Sequence, residues 1–363
     1  MEKPYPPLYY ADYLKVEALT SSQHLRSVAF GEPAHDEMLF IIVHQVYELW
    51  FKQILFELES VRDMFLGDTV DDTHIGTAVA RLERVTEIEK ILIDQLRVLE
   101  TMTPLDFLDF RDFLFPASGF QSVQFRRVEN LLGLRPEQRQ LYNQHAYHTR
   151  LAPEHRVLLE QTEREPSLHD LVERWLERTP FIEFGGFRFW DAYRDAVHAM
   201  LDDDQRVIES NHTLTEEQKL MQLAELHRTR ASFEAVIDPA THARLQAEGS
   251  RRLSHKAMQA ALLIMLYRDQ PILHMPFRLL DVLIDIDELL TTWRYRHSLM
   301  VHRMIGMKIG TGGSSGHQYL RSTAENHKVF VDLINLSTCL LPRKALPTLP
   351  PEVAQHLGFR YGT

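Results

Sequence analysis

The feature that most constrains this chain is how long its helical periodicity persists. "HDEMLFIIVHQVYELWFKQILFELESVRDMF" (residues 35–65) places apolar residues at three- and four-residue spacings for many turns. "DTHIGTAVARLERVTEIEKILIDQLRVLETM" (72–102) does the same, and so does "PFRLLDVLIDIDELLTTWRYRHSLMVHRMIGMKI" (276–309). Asp36 is expected to cap the first of these and Gly67 to end it. Shorter helices are expected in "PLDFLDFRDFLF" and "SVQFRRVENLLGL", on either side of "PASG", and in "LHDLVERWLERTP", which stops at its proline. Helix is expected again over about 187–237 and 253–267. Strand-like alternation is almost absent, so the predicted fold is all-α. With 363 residues, 44% of them apolar, the chain can bury a sizeable core. One large domain or two ordinary ones are both open at this length: the more charged region at about 150–250 is either a helical insertion on a single domain over 1–363 or a small second domain. Pro342, Pro347, Pro350 and Pro351 mark an irregular tail.

Charge and cysteine content narrow the function. A net charge of −11 argues against a general nucleic-acid binder, which needs a basic face. Cys339 is the only cysteine, so no internal disulfide forms, which suits the cytoplasm. "MEKPYPPLYY" lacks the basic and apolar regions of a signal peptide, and no run of about 18 apolar residues predicts a membrane span. The 19 histidines invite a search for metal or cofactor ligands.

Several constellations carry possible chemistry. "GTGGSSG" (310–316) lacks the lysine of a phosphate loop and the strand–turn–helix of a dinucleotide site. It is either a flexible connection or a mobile flap whose N–H groups and Thr311 hydroxyl close on a small anion. Phe40 and His44 share a helix face, with His44 either a satisfied core residue or a site residue. Phe107, Arg111 and Leu114 share another face, where Arg111 either pairs with a carboxylate such as Asp112 or clamps a substrate carboxylate. Trp293 and His297, four apart, are core residues or part of a metal or heme site. The residues alone do not choose between His297 and His302 as a ligand. A di-iron carboxylate bundle needs two Glu-x-x-His pairs. The candidates are Glu32/His35 and Glu209/His212; the first contains Pro33 and neither lies in a long apolar run. Cys339 has no nearby histidine in sequence to activate it.

Taken in order, "YADYL", the 35–61 stretch, "LETMTPLDFLDFRDFLFPASGFQSVQFR", "WLERTP" and "WRYRH" followed by "GTGGSSG" resemble the tryptophan 2,3-dioxygenase family over nearly the whole chain. The resemblance implies a homotetrameric helical bundle carrying heme b. It implies L-tryptophan and O2 as substrates and N-formyl-L-kynurenine as product, the first step of the kynurenine pathway. By the same resemblance His297 is the axial ligand of the heme iron, and His44 lies beside the indole N–H as an orienting partner. Phe40 and Phe107 line the aromatic slot, where bacterial members often carry tyrosine at the Phe107 position. Arg111 takes the substrate carboxylate, Leu114 packs against the ring, and Ser118 lies near heme and substrate. Thr311 and its loop close over the amino-acid group. Tyr10 and Tyr13 belong to the neighbouring subunit's pocket. Two alternatives stay open: a related heme oxygenase acting on a modified indole, and a helical scaffold that has lost heme.

Overall fold

The computed structural model describes residues 5–67, 69–139, 151–179, 183–184, 187–308 and 316–358. Three short N-terminal helices, α1 (Tyr10–Leu14), α2 (Val16–Thr20) and α3 (Arg26–Ala29), lead into α4 (Glu37–Phe65) and α5 (Asp72–Leu99). Then come α6 (Pro104–Arg111), α7 (Val123–Leu132), α8 (Pro153–Arg164) and α9 (Leu168–Glu177). The charged middle holds α10 (Phe189–Ser210), α11 (Glu216–Ile237) and α12 (Pro239–Ala247). After α13 (His255–Leu266) runs α14 (Pro271–Ile305), followed by α15 (Gly316–Asn326), α16 (Val331–Asn335) and α17 (Pro351–His356). Among the described residues the only strands are the two-residue β1 (Glu183–Phe184) and β2 (Phe187–Arg188), paired antiparallel. The all-α expectation holds.

The three long periodic runs become α4, α5 and α14, and these pack on one another. Their apolar stripes meet in a core that includes Leu58, Val61, Leu82, Val85, Leu279 and Leu283, each essentially inaccessible. Helix α7 lies against α4, α15 against α14, and α9 bridges α4 and α13. Local chemistry sets many of the helix starts. Thr103 and Asp106, Ser167 and Asp170, and Thr215 and Gln218 form reciprocal capping boxes at α6, α9 and α11. Gly133 ends α7 at φ +118°, and a Cβ there would come within 2.8 Å of the Cβ of His169 and the Oγ of Ser167. Both the left-handed backbone and the close approach of α9 therefore require glycine.

Four expectations are corrected. Asp36 holds the N-cap position of α4, but its side chain accepts no capping bond. Buried Glu37 instead accepts from the backbone N–H groups of Arg26 and Ser27, at 2.8 and 2.9 Å, and so ties α3 to the start of α4. Helix α14 begins at Pro271 and carries Pro276 inside it; a proline early in a helix removes only one bond near the orphan N–H groups. The 187–237 run is split at 211–215, where the Asn211 side chain accepts from Thr213 and Thr215 caps a new helix. Finally, α4 is long and apolar enough to cross a membrane by length and composition, with a mean hydropathy of 1.2 over its best window. Its buried Glu57, paired with Arg84 of α5 at 2.7 Å, belongs to a helix that packs on protein. Met38, Ile42, Leu49 and Phe56 nevertheless leave an exposed apolar line along α4.

The 150–250 region is tied to the rest of the chain through buried side chains. Leu168, Leu171 and Leu176 of α9 lie in the core, and fully buried Tyr193 of α10 donates to the Cys339 carbonyl at 2.7 Å. The outer faces of α10 and α11 carry exposed ion pairs such as Arg228–Glu225, which add little stability.

Candidate active site

Helices α4, α6, α7, α14 and α15 surround one cavity of about 270 Å³, counted as the space open to water centres. One water needs about 10–15 Å³ on that measure, so the space suits a multi-ring ligand rather than isolated waters. Its walls are largely aromatic. Phe51 packs on Phe125 (5.2 Å between ring centres), Phe125 on Trp293 (5.1 Å), and Trp293 stacks on His297 at 5.2 Å and 27°. Phe40 packs against Phe107 at 5.8 Å, bringing α4 and α6 together over the opposite side. Tyr47 closes the wall and donates its buried hydroxyl to the Leu92 carbonyl at 2.7 Å; burial pushes its phenol up to about 12.

His297 reaches this cavity from α14. Its Nδ1 is buried without a hydrogen-bond partner, and no protein group among the described residues engages either ring nitrogen. Burial, aided by the nearby His44, lowers it to about 4, so the imidazole is neutral at working pH. His302 lies outside the cavity, its ring 4.3 Å from that of His317. Five positions along a helix turn a side chain by about 140°, which separates the two candidates that sequence left level.

His44 borders the cavity from α4, one turn beyond Phe40. Its side chain is exposed, yet the protein packed around the ring lowers its pKa against the pull of the Phe40 carbonyl and Glu48. Its Nδ1 lies 2.7 Å from the Phe40 carbonyl oxygen. A carbonyl only accepts, so Nδ1 carries the proton and Nε2 is left as an acceptor.

Arg111, at the last position of α6, and Ser118, the cap of the following 3-10 turn, line the same space. Phe40, His44, Phe107, Arg111, Ser118 and His297 thus converge. Leu114, in the 3-10 turn over Asp112–Leu114, packs against the core and is not among the residues lining this cavity. Tyr10 and Tyr13 sit on α1, 75% and 71% exposed and away from this cavity. Thr311 and most of its glycine loop lie outside the described residues.

The far wall holds a charge cluster that sequence reading missed. Glu129 of α7 is buried; its Oε2 meets Arg126 at 2.8 Å and Arg139 at 2.7 Å, and its Oε1 meets Arg294 of α14 at 3.0 Å and His327 at 3.5 Å. Burial would raise this carboxyl, but Arg126 and Arg139, with His327 and Arg294, hold it well below the usual range. Glu89, equally enclosed but with neither oxygen hydrogen-bonded, is raised well above that range by burial. Three guanidinium groups therefore meet at one firmly ionised carboxylate. The available signal was a glutamate on the apolar side of "VQFRRVENLLGL" and an arginine three residues before His297 on the core side of α14.

The family described as tryptophan 2,3-dioxygenase matches residues 5–340 of this chain. The tryptophan 2,3-dioxygenase of Bdellovibrio bacteriovorus is 54% identical over 357 residues, covering 98% of this chain and 99% of that protein. That of Alteromonas mediterranea is 47% identical over 359 residues, with 99% of each chain covered. That of Dictyostelium discoideum is 48% identical over 355 residues, covering 98% and 89%. A match of this extent, joined to a cavity where His44, Arg111 and His297 face one space, leads to one conclusion: the chain belongs to the tryptophan 2,3-dioxygenase family.

Proposed function

We infer that this chain is a heme-dependent dioxygenase that inserts both atoms of O2 across the indole C2=C3 bond of L-tryptophan. The product is N-formyl-L-kynurenine, the entry to the kynurenine pathway. The observation that carries the reading is the meeting of a neutral, unengaged imidazole, a guanidinium and a hydrogen-bond acceptor in one aromatic-walled cavity.

The residues fit heme b. His297 would offer the iron a neutral imidazole nitrogen from a long helix, and the guanidinium groups of Arg126 and Arg294 in the cavity wall would suit the carboxylates of such a cofactor. When bound, the heme supplies the binding and activation of dioxygen. The protein's own part is positioning. Arg111 holds the amino-acid carboxylate, and Phe40 and Phe107 pack on the indole faces. The free Nε2 of His44 accepts the indole N–H, which orients the ring without removing its proton. Ser118 borders substrate and cofactor, and Thr311 with its glycine loop forms the lid over the ammonium and carboxylate. Purified, heme-loaded protein is expected to convert tryptophan to a product heavier by one dioxygen. Arg111→Ala is expected to lower kcat/KM for tryptophan by about 2–5 kcal/mol with heme content intact. Undiminished turnover in that variant, or an equal loss with indoles that lack the carboxylate, would remove Arg111 from this role.

The assembly belongs to the same proposal. Tyr10 and Tyr13 are presented, exposed, on a helix with no buried residue. We read α1 as crossing to a neighbour's cavity within a homotetramer, with the exposed apolar line of α4 supporting subunit contact. Residues 1–363 are read as one helical domain with an insertion at about 150–250, in the cytoplasm, where the free, buried Cys339 stays reduced. Deleting residues 1–14 is expected to leave heme-binding protein with greatly reduced turnover. Mixing it with Arg111→Ala chains that exchange subunits should restore activity. Verified mixed oligomers that stay inactive would refute the shared site.

A further inference from the structure

We propose that His169, Asp170 and Glu173, on the first two turns of α9, form a divalent-cation site of the class that takes Zn2+. None of the three lines the cavity, and the dioxygenase reading makes no use of them. One ligand atom from each lies within 4.8 Å of the other two. The helix accounts for part of the arrangement: Glu173 is the i+4 neighbour of His169 and the i+3 neighbour of Asp170, so it lies angularly between the two.

The carboxylates are already half engaged. Asp170 uses Oδ2 to accept from the Ser167 N–H (3.1 Å) and hydroxyl (2.7 Å), while its Oδ1 faces His169 Nδ1 at 4.0 Å. Glu173 uses Oε1 to accept from the Ser254 N–H at 2.6 Å, leaving Oε2. Each carboxylate thus has one oxygen fixed by hydrogen bonds of the scaffold, while Glu173 Oε2 has no hydrogen bond and Asp170 Oδ1 has only the long ion pair to Arg135, as outer-shell bonds orient the ligands of metal sites. Helix capping explains Asp170, and docking of α13 explains Glu173. Neither explains His169. Its ring is 2% exposed and packs on Phe330, and its Nδ1 is buried with no hydrogen-bond partner. A leucine would fill that space without burying an unsatisfied nitrogen. Burial first, then the charge of Arg252, pushes the imidazole down to about 3, so the ring keeps a lone pair at neutral pH. A cation between Nδ1 and the spare oxygens would give that atom a partner.

Charge does not oppose it. Arg252 and Arg135, the latter 3.8 Å from Asp170 Oδ1, are met by Asp170, Glu173 and nearby Glu177. Ligand atoms around a tetrahedral zinc lie about 3.4 Å apart with bonds of about 2.1 Å. The two carboxylates, which are only partly buried, must draw in toward the fixed histidine.

The test uses full-length, heme-loaded protein equilibrated with micromolar ZnCl2 and then freed of loose metal. Zinc content is measured together with anomalous diffraction at the zinc edge. Wild type is expected to retain one more zinc per chain than His169→Leu or Glu173→Gln, with an anomalous peak among the three side chains. Affinity in His169→Leu should fall by more than the roughly 10–100-fold typical of losing an outer-shell partner. Should His169→Leu fail to fold, the partly exposed Glu173→Gln decides the matter alone. Equal zinc content and affinity in wild type and variants, anomalous peaks only elsewhere, or no zinc retained by wild type would overturn the proposal.

Discussion

His297→Ala is expected to fold, to lose nearly all heme, and to show no measurable tryptophan turnover. Alanine is a better helix former than histidine, so α14 is not broken by the change. What disappears is the one imidazole that faces the cavity with both nitrogens unengaged, together with its stacking on Trp293. Heme absorbance per chain after reconstitution is the direct measure, and circular dichroism reports the fold. His302→Ala is the matched control: it removes a histidine from the same helix that faces His317 and not the cavity. Retained heme in His297→Ala, with loss in His302→Ala, would transfer the ligand role and undo the reading of the site.

Glu129→Leu is expected to lower global stability by about 3–5 kcal/mol, because removing one partner of a buried ion cluster strands the others. Here Arg126, Arg139 and Arg294 would face one another with their shared carboxylate gone. The sign with pH follows from the lowered carboxyl. Its contribution is complete above the ordinary glutamate range and fades only as pH falls through a value well below it. The wild-type advantage over Glu129→Leu in chemical denaturation should therefore be flat through neutrality and shrink in strong acid. A loss under about 1 kcal/mol at neutral pH would mean that the cluster is far wetter than its burial implies.

Much of this molecule was legible in its sequence, for a physical reason. Long helices announce themselves by period, so α4, α5 and α14 were readable, and so were the faces that carry Phe40, His44, Phe107 and Arg111. Breaks made by side chains that cap themselves, such as Asn211 to Thr215, were not, because polar stretches continue a charged helix equally well on paper. The residues alone left His297 and His302 level, and only His297 lies on the side of α14 that lines the cavity. The Glu129 cluster joins α7, Arg139, α14 and His327 across long stretches of sequence, and no local pattern reports such a meeting.

Helix α14 is an unbroken rod of 35 residues, about 52 Å long. Along it sit Asp287, which accepts from the N–H groups of Val329 and Phe330, then Arg294 for Glu129, then His297, Met300 and Met304 at the cavity. Each works only in its angular setting relative to the others. Inserting or deleting one residue between Asp287 and Met304 would rotate everything beyond it by about 100° and shift it by about 1.5 Å. Clasp, charge pair and imidazole would then point to different sides. The rod acts as a ruler: a substitution along this segment alters one side chain, whereas a change in its length resets every one beyond it.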